Sequence, residues 1–376
     1  MWTLLGVSSP NFSQESEGCT LDANSQELRG GEILGDGSAK RAPKVFRDQS
    51  HVWPIIAGMP LSLGLILFVL NQAPGIVVLS LVPGALVIGT FLWLGQIEPG
   101  TRQSQLYAVM WGATTAVTAA VVCNSLFYHF FGEAAGVVVA APVVEEVVKL
   151  LGVWWVMRNC GDRTALLGSI HAGLVAGGFA LVENIQYFYQ AYEDGLLAWT
   201  FIGRGVLTPF MHPLFTIPAA IALAAGIGRG TLFKLWGLPV SVALHAWWNG
   251  SIVLLGRGSG GAVPVWTFFV GGAYVGAFLT TVVGLLVARE RAKKLYPRWV
   301  GKLAFEQDLT PHECGFFSTW GNSQTARRRL SRKQRRSYDD LHSAVVALMR
   351  HHAGSRVGNL GSLVDDLEVA RKSMRY

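Results

Sequence analysis

The chain is poor in charged residues and in cysteine, and each shortage excludes a class of protein. Only 15% of its 376 residues are charged, whereas average proteins carry about 25%. Its 51% of hydrophobic residues and its mean hydropathy of +0.36 likewise exclude an ordinary soluble domain. The four cysteines (Cys19, Cys123, Cys160 and Cys314) are scattered and form no CxxC pair. Their spacing therefore predicts neither a disulfide framework nor a cysteine-bound zinc site.

A long apolar run is also missing from the first fifty residues. A cleaved signal peptide carries its apolar segment close to the first residue, so none is predicted here. Residues 8–38 are rich in Gly, Ser and Glu. Such a composition buries too little apolar surface to fold. We therefore expect residues 1–50 to form a disordered polar extension.

Apolar residues are concentrated between residues 51 and 290, in runs long enough to cross a bilayer. About 20 helical residues span the roughly 30 Å hydrocarbon core. The predicted fold class is an all-α polytopic membrane protein with about eight transmembrane helices and cytoplasmic N- and C-terminal extensions. Residues 291–376 are predicted to form a basic cytoplasmic tail with short helices. The predicted spans lie near residues 53–71, 75–95, 107–131, 135–157, 165–190, 205–227, 233–255 and 264–288.

The predicted orientation follows from lysine and arginine near the spans, because positively charged loops stay on the cytoplasmic side. Both flanks of the membrane region are rich in these cations. Both termini are therefore predicted to be cytoplasmic, which an even number of spans requires. The flanking cations are Lys40, Arg41, Lys44 and Arg47 before the first span, and Arg289, Arg291, Lys293, Lys294 and Arg298 after the last.

The fourth predicted span contains the motif Glu145-Glu146-x-x-Lys149. Each ionisable group near the middle of such a helix costs at least about 2.5 kcal/mol on insertion scales, so three together need partners or a wet cavity. Lys149 can reach both carboxylates across one helical turn. One glutamate paired with Lys149 would be sufficient for a structural lock. The second carboxylate therefore favours a functional site.

The next three predicted spans carry further polar groups at similar depth. On the predicted orientation, the glutamates and histidines of these spans and of the fourth fall within roughly 10 Å of depth, at about 1.5 Å per residue. A shared layer in the middle-to-outer half of the bilayer predicts one water-filled cavity. For Asn184 and Tyr187 an interhelical hydrogen-bond clamp is an equal alternative. The polar groups are Glu183, Asn184 and Tyr187 in the fifth span, Arg204 and His212 in the sixth, and His245 and Asn249 in the seventh.

Three glutamates and two histidines around one cavity fit the activation of water for peptide hydrolysis. A carboxylate can act as general base while imidazoles donate to a developing oxyanion. The same residues can instead hold a metal, because His and Glu are usual zinc ligands. The zinc-protease signature HExxH is absent from the chain. Residue spacing leaves both mechanisms open.

The ordered motifs resemble those of the PrsW family, bacterial intramembrane proteases in the wider group that contains the type II CAAX prenyl endopeptidases. The resemblance covers about residues 50–290. It implies a multi-pass endopeptidase of a bacterial plasma membrane that hydrolyses peptide bonds of membrane-anchored proteins. Family members perform site-1 cleavage of membrane-anchored anti-sigma factors, so such a factor is a candidate substrate. The matching motifs are Glu145-Glu146-x-x-Lys149, Glu183-Asn184-x-x-Tyr187, Arg204 with His212, and His245-x-x-x-Asn249.

The resemblance also implies roles for single residues. Glu145 and Glu146 would be the catalytic carboxylates, with Glu146 as the base, and His212 and His245 would stabilise the oxyanion. In a metal-dependent mechanism His212, His245 and Glu146 would bind the metal, with zinc as the candidate. A glutamate-type mechanism needs no cofactor. The residues that would shape the site and bind substrate are Lys149, Glu183, Asn184, Tyr187, Arg204 and Asn249.

The tail contains the basic run Arg327–Arg336, which largely accounts for the net charge of +7. Next to a membrane domain, such a run is predicted to lie on anionic lipid headgroups, worth about 1 kcal/mol per cation. No recognised nucleic-acid-binding fold accompanies it, so nucleic acid is not an expected partner.

Two other functions compete with proteolysis at this stage. A proton-coupled transporter could relay protons through buried Glu and His, but the inverted repeat that would favour it is not visible in the sequence. A non-catalytic membrane scaffold or chaperone could bind peptide or prenyl-like segments with the same residues. Loss of proteolysis in Glu146→Gln would separate an enzyme from a scaffold.

Overall fold

The computed structural model describes residues 52–97, 102–159, 164–225, 235–256, 266–305, 309–317, 319–352 and 360–374. Every regular element in these ranges is helical, which confirms the all-α prediction. The predicted extension 1–50 lies outside the described residues. The described chain falls into two compact units that meet in sequence between Ala292 and Lys293.

The first unit contains the membrane helices. Short π-helical turns lie at Gly112–Ala116, Gly136–Ala140 and Phe201–Leu207, next to α3, α6 and α8. Such turns are frequent at functional sites, and the second and third of them adjoin the polar motifs. The α-helices are α1 (Trp53–Gln72), α2 (Pro74–Leu94), α3 (Arg102–Trp111), α4 (Val117–Phe131), α5 (Glu133–Ala135), α6 (Ala141–Asn159), α7 (Ala165–Glu193), α8 (Leu197–Thr200), α9 (Met211–Ala225), α10 (Gly237–Gly256) and α11 (Trp266–Phe305).

Six helical stretches of the described chain are long and apolar enough to cross a membrane, so the protein is a multi-pass membrane protein. Helices α6 and α10, which correspond to the fourth and seventh predicted spans, are not among the six. Helix α6 contains the Glu-Glu-Lys motif. The count of eight spans stays a prediction. The six stretches are Trp53–Gln72, Pro74–Leu94, Gln103–Phe131, Ala165–Glu193, Leu197–Ala225 and Phe269–Lys294.

Helix α7 is the central helix of the membrane unit and is buried along most of its length. It begins where the Thr164 hydroxyl accepts a hydrogen bond from the amide of Leu167 at 3.0 Å. It packs against α2, α3, α6 and α9. The close approach depends on glycine: a Cβ on Gly178 would lie 2.1 Å from the carbonyl oxygen of Val109, and one on Gly173 would lie 2.3 Å from the ring of Phe91.

We expect Gly178→Ala to destabilise the membrane unit, because the new methyl group would overlap a backbone carbonyl that cannot turn aside. Overpacking of this kind typically costs about 1–3 kcal/mol. The matched control is Gly276→Ala on α11, where a Cβ would meet nothing within 4 Å. Thermal unfolding in detergent should show a lower midpoint for Gly178→Ala alone. Equal midpoints in the two variants would contradict this account of the α3–α7 contact.

The second unit contains the end of α11 and the helices α12 (Pro311–Phe317), α13 (Trp320–Arg329), α14 (Arg332–His352) and α15 (Leu360–Met374). Its core includes Tyr338 on α14, whose ring stacks on Phe317 with centroids 5.7 Å apart. Two ion pairs join its helices: Arg371 reaches Glu313 at 2.7 Å, and Arg327 reaches Asp339 at 2.6 Å. The tail therefore folds into a packed helical unit with its own core.

The stability of the tail should depend on pH through His342. Burial lowers the pKa of His342 from 6.5 to about 4 and outweighs the attraction of Asp339. Between pH 4 and pH 6.5 the unfolded tail binds a proton at His342 that the folded tail does not bind. The free energy of unfolding is therefore highest above about pH 6.5 and decreases as the pH falls towards 4. Hydrogen exchange of α14 in the full-length protein, corrected for intrinsic rates, should accelerate over this interval. His342→Gln should flatten the response, and an unchanged response would refute the assignment.

Candidate active site

The site is built around Lys149, which lies fully buried on α6. Its ammonium donates to Glu145 Oε2 at 3.1 Å, to Glu146 Oε1 at 3.0 Å and to His212 Nδ1 at 3.1 Å. The ammonium also lies 4.1 Å from the ring centre of Phe179. All three of its N–H donors are thus used. The cation that the sequence predicted to reach both carboxylates also connects them to α9.

Glu146 is fully buried, and both of its oxygens accept hydrogen bonds from other helices or from Lys149. Oε1 accepts from Lys149 and from His245 Nδ1, each at 3.0 Å. Oε2 accepts from the hydroxyl of Thr216 at 2.8 Å. Because a carboxylate only accepts, these bonds assign the proton of a neutral His245 to Nδ1. Nε2 of His245 is then an unprotonated nitrogen.

Glu145, which also accepts from Lys149, approaches that nitrogen. Its Oε2 is 3.9 Å from His245 Nε2, which is too long for a direct hydrogen bond. A separation of this size is one that a water molecule or an ion can bridge. Nε2 of His245 therefore lies opposite Glu145, whereas Nδ1 binds Glu146.

His212 connects the buried cluster to the edge of the bundle. Its Nδ1 accepts from Lys149, so its Nε2 carries the proton and donates to Glu183 Oε2 at 2.8 Å. The same oxygen of Glu183 accepts from Arg204. A continuous series of polar contacts therefore runs from half-exposed Arg204 to fully buried Glu146.

Arg204, Asn184 and Tyr187 form the outer part of this series. Arg204 Nε donates to Asn184 Oδ1 at 2.9 Å, and its guanidinium lies 3.9 Å from the centre of the Tyr187 ring. The side chain of Arg204 is 28% exposed and Tyr187 is 43% exposed, whereas Asn184 is buried. The structure thus brings these three residues together at the mouth of the site.

Asn249 is the one predicted residue that points away from the charged cluster. Its Nδ2 donates to the carbonyl oxygen of Val137 at 3.0 Å, in the π-helical turn before α6. His245 and Asn249 share a face of α10, as their spacing predicted, but they contact different partners. Asn249 fixes the backbone near the site.

A metal could be held by Glu145, His212 and His245, whose ligand atoms all lie within 4.8 Å of one another. Two imidazoles and one carboxylate are a usual donor set of catalytic zinc, so the residue types fit the ion. To bind it, His212 would have to release one of its two hydrogen bonds, because Nδ1 accepts from Lys149 and Nε2 donates to Glu183. The carboxylate of this group is Glu145, whereas Glu146 was the metal ligand predicted from the sequence. Glu146 has both oxygens bonded to protein donors, which is the position of an outer partner that orients a ligand.

Three residues of the site were not predicted from the sequence. Thr216 binds Glu146, Phe179 lies under Lys149, and the ring of Phe215 stacks on His245 with centroids 4.8 Å apart. Thr216 follows His212 by four residues and Phe179 precedes Glu183 by four, so helix periodicity could have suggested both. Phe215 has no such signal, because an apolar residue in a membrane helix is ordinary.

Comparison with known proteins identifies the membrane unit. A sequence model described as PrsW family intramembrane metalloprotease matches residues 100–295, slightly more than half of the chain. The matched range contains all of the polar motifs. Searches of curated proteins and of solved structures found no match.

Proposed function

The chain belongs to the PrsW family of intramembrane metalloproteases, and we propose that it hydrolyses peptide bonds of membrane-anchored proteins with water activated at Glu145. The observation that carries the proposal is the convergence of Glu145, His212 and His245 within 4.8 Å in the interior of a multi-pass membrane protein. A non-catalytic scaffold would not need an unprotonated imidazole nitrogen held opposite a carboxylate.

Glu145 takes the proton of the attacking water, whose oxygen then bonds to the carbonyl carbon of the substrate. The C–N bond breaks, and the proton passes from Glu145 to the leaving nitrogen, so that an amine and a carboxylic acid result. Glu146 does not touch the water in this scheme. It holds His245 with Nε2 turned towards the reacting groups, and Lys149 keeps the two carboxylates close in spite of their like charge.

Zinc is the proposed cofactor of a metal-dependent mechanism, in which Glu145, His212 and His245 would hold the ion. Glu145 would then serve as a ligand, whereas it acts as the base in the glutamate-type mechanism. When bound there, zinc would polarise the substrate carbonyl and lower the pKa of the water to about 7. The hydrogen bonding of His245 favours this role over oxyanion donation, because its free nitrogen accepts rather than donates in the neutral ring. Arg204, Asn184 and Tyr187 are proposed to contact the substrate backbone at the mouth of the site.

We expect ortho-phenanthroline to abolish cleavage by the purified protein, and added zinc to restore it, because the chelator competes for an ion held by only three protein ligands. The meta isomer, which does not chelate, is the control. Full activity in the chelator, with less than one zinc per chain by elemental analysis, would show a glutamate-type mechanism.

The substrate is proposed to be a single-span protein cut in the outer half of a bacterial plasma membrane, with an anti-sigma factor as one candidate. This depth follows from the predicted cytoplasmic position of both termini. New protein N-termini should be compared in membranes of a deletion strain that carries the wild-type chain or Glu145→Gln at matched expression. Cuts near the outer face that occur only with the wild type support the proposal. Identical profiles over varied growth conditions, with both proteins folded, would overturn it.

The tail is proposed to contact anionic headgroups through Arg328 and Arg329, which are exposed. Other arginines of the basic run bind their own unit: Arg327 pairs with Asp339, and Arg335 donates to the carbonyl oxygens of Leu330 and Arg328. Neutralising Arg328 and Arg329 should remove the difference in tail hydrogen exchange between nanodiscs with and without phosphatidylglycerol. No such difference in the wild type would contradict the proposal.

A further inference from the structure

Thr216 connects α9 to the catalytic cluster through a single hydroxyl group. It is fully buried, and its oxygen lies 2.8 Å from Glu146 Oε2 and 3.0 Å from the carbonyl oxygen of His212. The hydroxyl has one proton for these two acceptors. A hydrogen bond to a charged acceptor is the stronger one, and the contact with Glu146 is the shorter. The proton therefore belongs to the bond with Glu146.

Glu146 needs this bond to keep one orientation. Oε1 accepts hydrogen bonds from Lys149 and His245, whereas Oε2 accepts one from Thr216. The last torsion angle of a glutamate side chain has a broad distribution, so the side chain by itself does not fix the orientation of its carboxylate. Without the hydroxyl, a buried carboxylate oxygen loses its partner, and the carboxylate can turn away from His245.

The orientation of His245 depends in turn on Glu146. The bond to Glu146 keeps the proton on Nδ1 and leaves Nε2 unprotonated at 3.9 Å from Glu145. The ring of Phe215, next to Thr216 in the chain, stacks on the imidazole at an interplanar angle of 18°. Phe215 limits the tilt of the ring, but stacking cannot choose between the two nitrogens. That choice comes from the Thr216–Glu146 pair.

We propose that Thr216 is a positioning residue, whose hydroxyl orients Glu146 and so holds His245 with Nε2 directed at the reacting water or metal. This inference rests on the proposed function for its effect on catalysis. The alternative role of Thr216 is the ordinary one of a threonine in an apolar helix, which bonds to the carbonyl four residues earlier and does nothing for the site.

The first test compares Thr216→Val with Thr216→Ser in the full-length protein, on the membrane protein whose new N-terminus requires the wild-type chain. Valine keeps the shape and removes the hydroxyl, and serine keeps the hydroxyl. We expect Thr216→Val to lower kcat by about 10–100-fold with KM unchanged, as for other partners that orient a ligand. Thr216→Ser should restore most of the rate. Wild-type kcat in Thr216→Val, or an equal loss in both variants, would overturn the proposal.

A double-mutant cycle with Glu146→Gln tests whether Thr216 acts through Glu146. If it does, adding Thr216→Val to Glu146→Gln changes kcat little further, whereas independent structural effects would multiply. Should Thr216→Val unfold in detergent, Thr216→Ser and Thr216→Ala provide the same comparison, since they differ by one hydroxyl oxygen. Multiplied effects would assign Thr216 a packing role.

The tautomer of His245 provides a readout that needs no substrate. The ring nitrogens of His245, assigned by loss of their signals in His245→Asn, should show a protonated Nδ1 and an unprotonated Nε2 in solid-state NMR of the wild type. Thr216→Val should mix the two tautomers, and Thr216→Ser should not. An unchanged spectrum in Thr216→Val overturns the positioning role even where cleavage is observed. Absence of cleavage by the wild type would instead count against the proposed function.

Discussion

Glu145→Gln should lower the rate of cleavage by about 10²–10⁴-fold, the usual contribution of a general base. Gln has the shape of Glu but cannot take a proton from water. Glu145 is the carboxylate that shares a 4.8 Å cluster with His212 and His245. As the proposed base or metal ligand, Glu145 would take a direct part in the reaction.

Glu146→Gln should be the milder change, with a loss of about 10–100-fold, because Glu146 acts on the reaction only through His245. Both variants should be purified to the same folded yield and compared in single-turnover cleavage of one substrate. The order of the two effects is the decisive observation. A larger loss in Glu146→Gln would return the role of base to Glu146, as the family resemblance implies.

Lys149→Met should destabilise the whole membrane unit, by about 3–5 kcal/mol, because it leaves buried carboxylates without their cation. Lys149 is fully buried and is the shared partner of Glu145, Glu146 and His212. We expect a low level of the variant in membranes and a lower midpoint temperature of thermal unfolding in detergent. The control is Lys294→Met on an exposed position of α11, where a surface change is usually within about 0.5 kcal/mol.

A second variant separates stability from catalysis. Lys149→Met combined with Glu146→Gln removes one positive and one negative charge, so part of the lost stability should return. Cleavage should stay low, because the orientation of His245 is not restored. A double variant as unstable as Lys149→Met alone would show that Lys149 stabilises the fold through its contacts with Glu145 and His212.

The sequence by itself determined the class of the protein and predicted most of the polar residues that the structure brings together. Long apolar runs have one stable solution in a bilayer, since the backbone must satisfy its own hydrogen bonds there, and helices do so. In such helices an ionisable side chain is costly, so Glu145, Glu146, Lys149, Glu183 and His212 stood out without any structure.

Only the tertiary structure shows which partners each carboxylate of the site has. Spacing along α6 places Glu145 and Glu146 near Lys149. It does not show which carboxylate faces His245 Nε2 and which one binds Nδ1. Contacts of about 3 Å between different helices depend on the rotation and crossing of those helices, which close packing at glycines such as Gly178 sets. The bond of Thr216 to Glu146 and the bond of Asn249 to the carbonyl oxygen of Val137 likewise depend on how α9 and α10 pack near α6, so the sequence did not predict them.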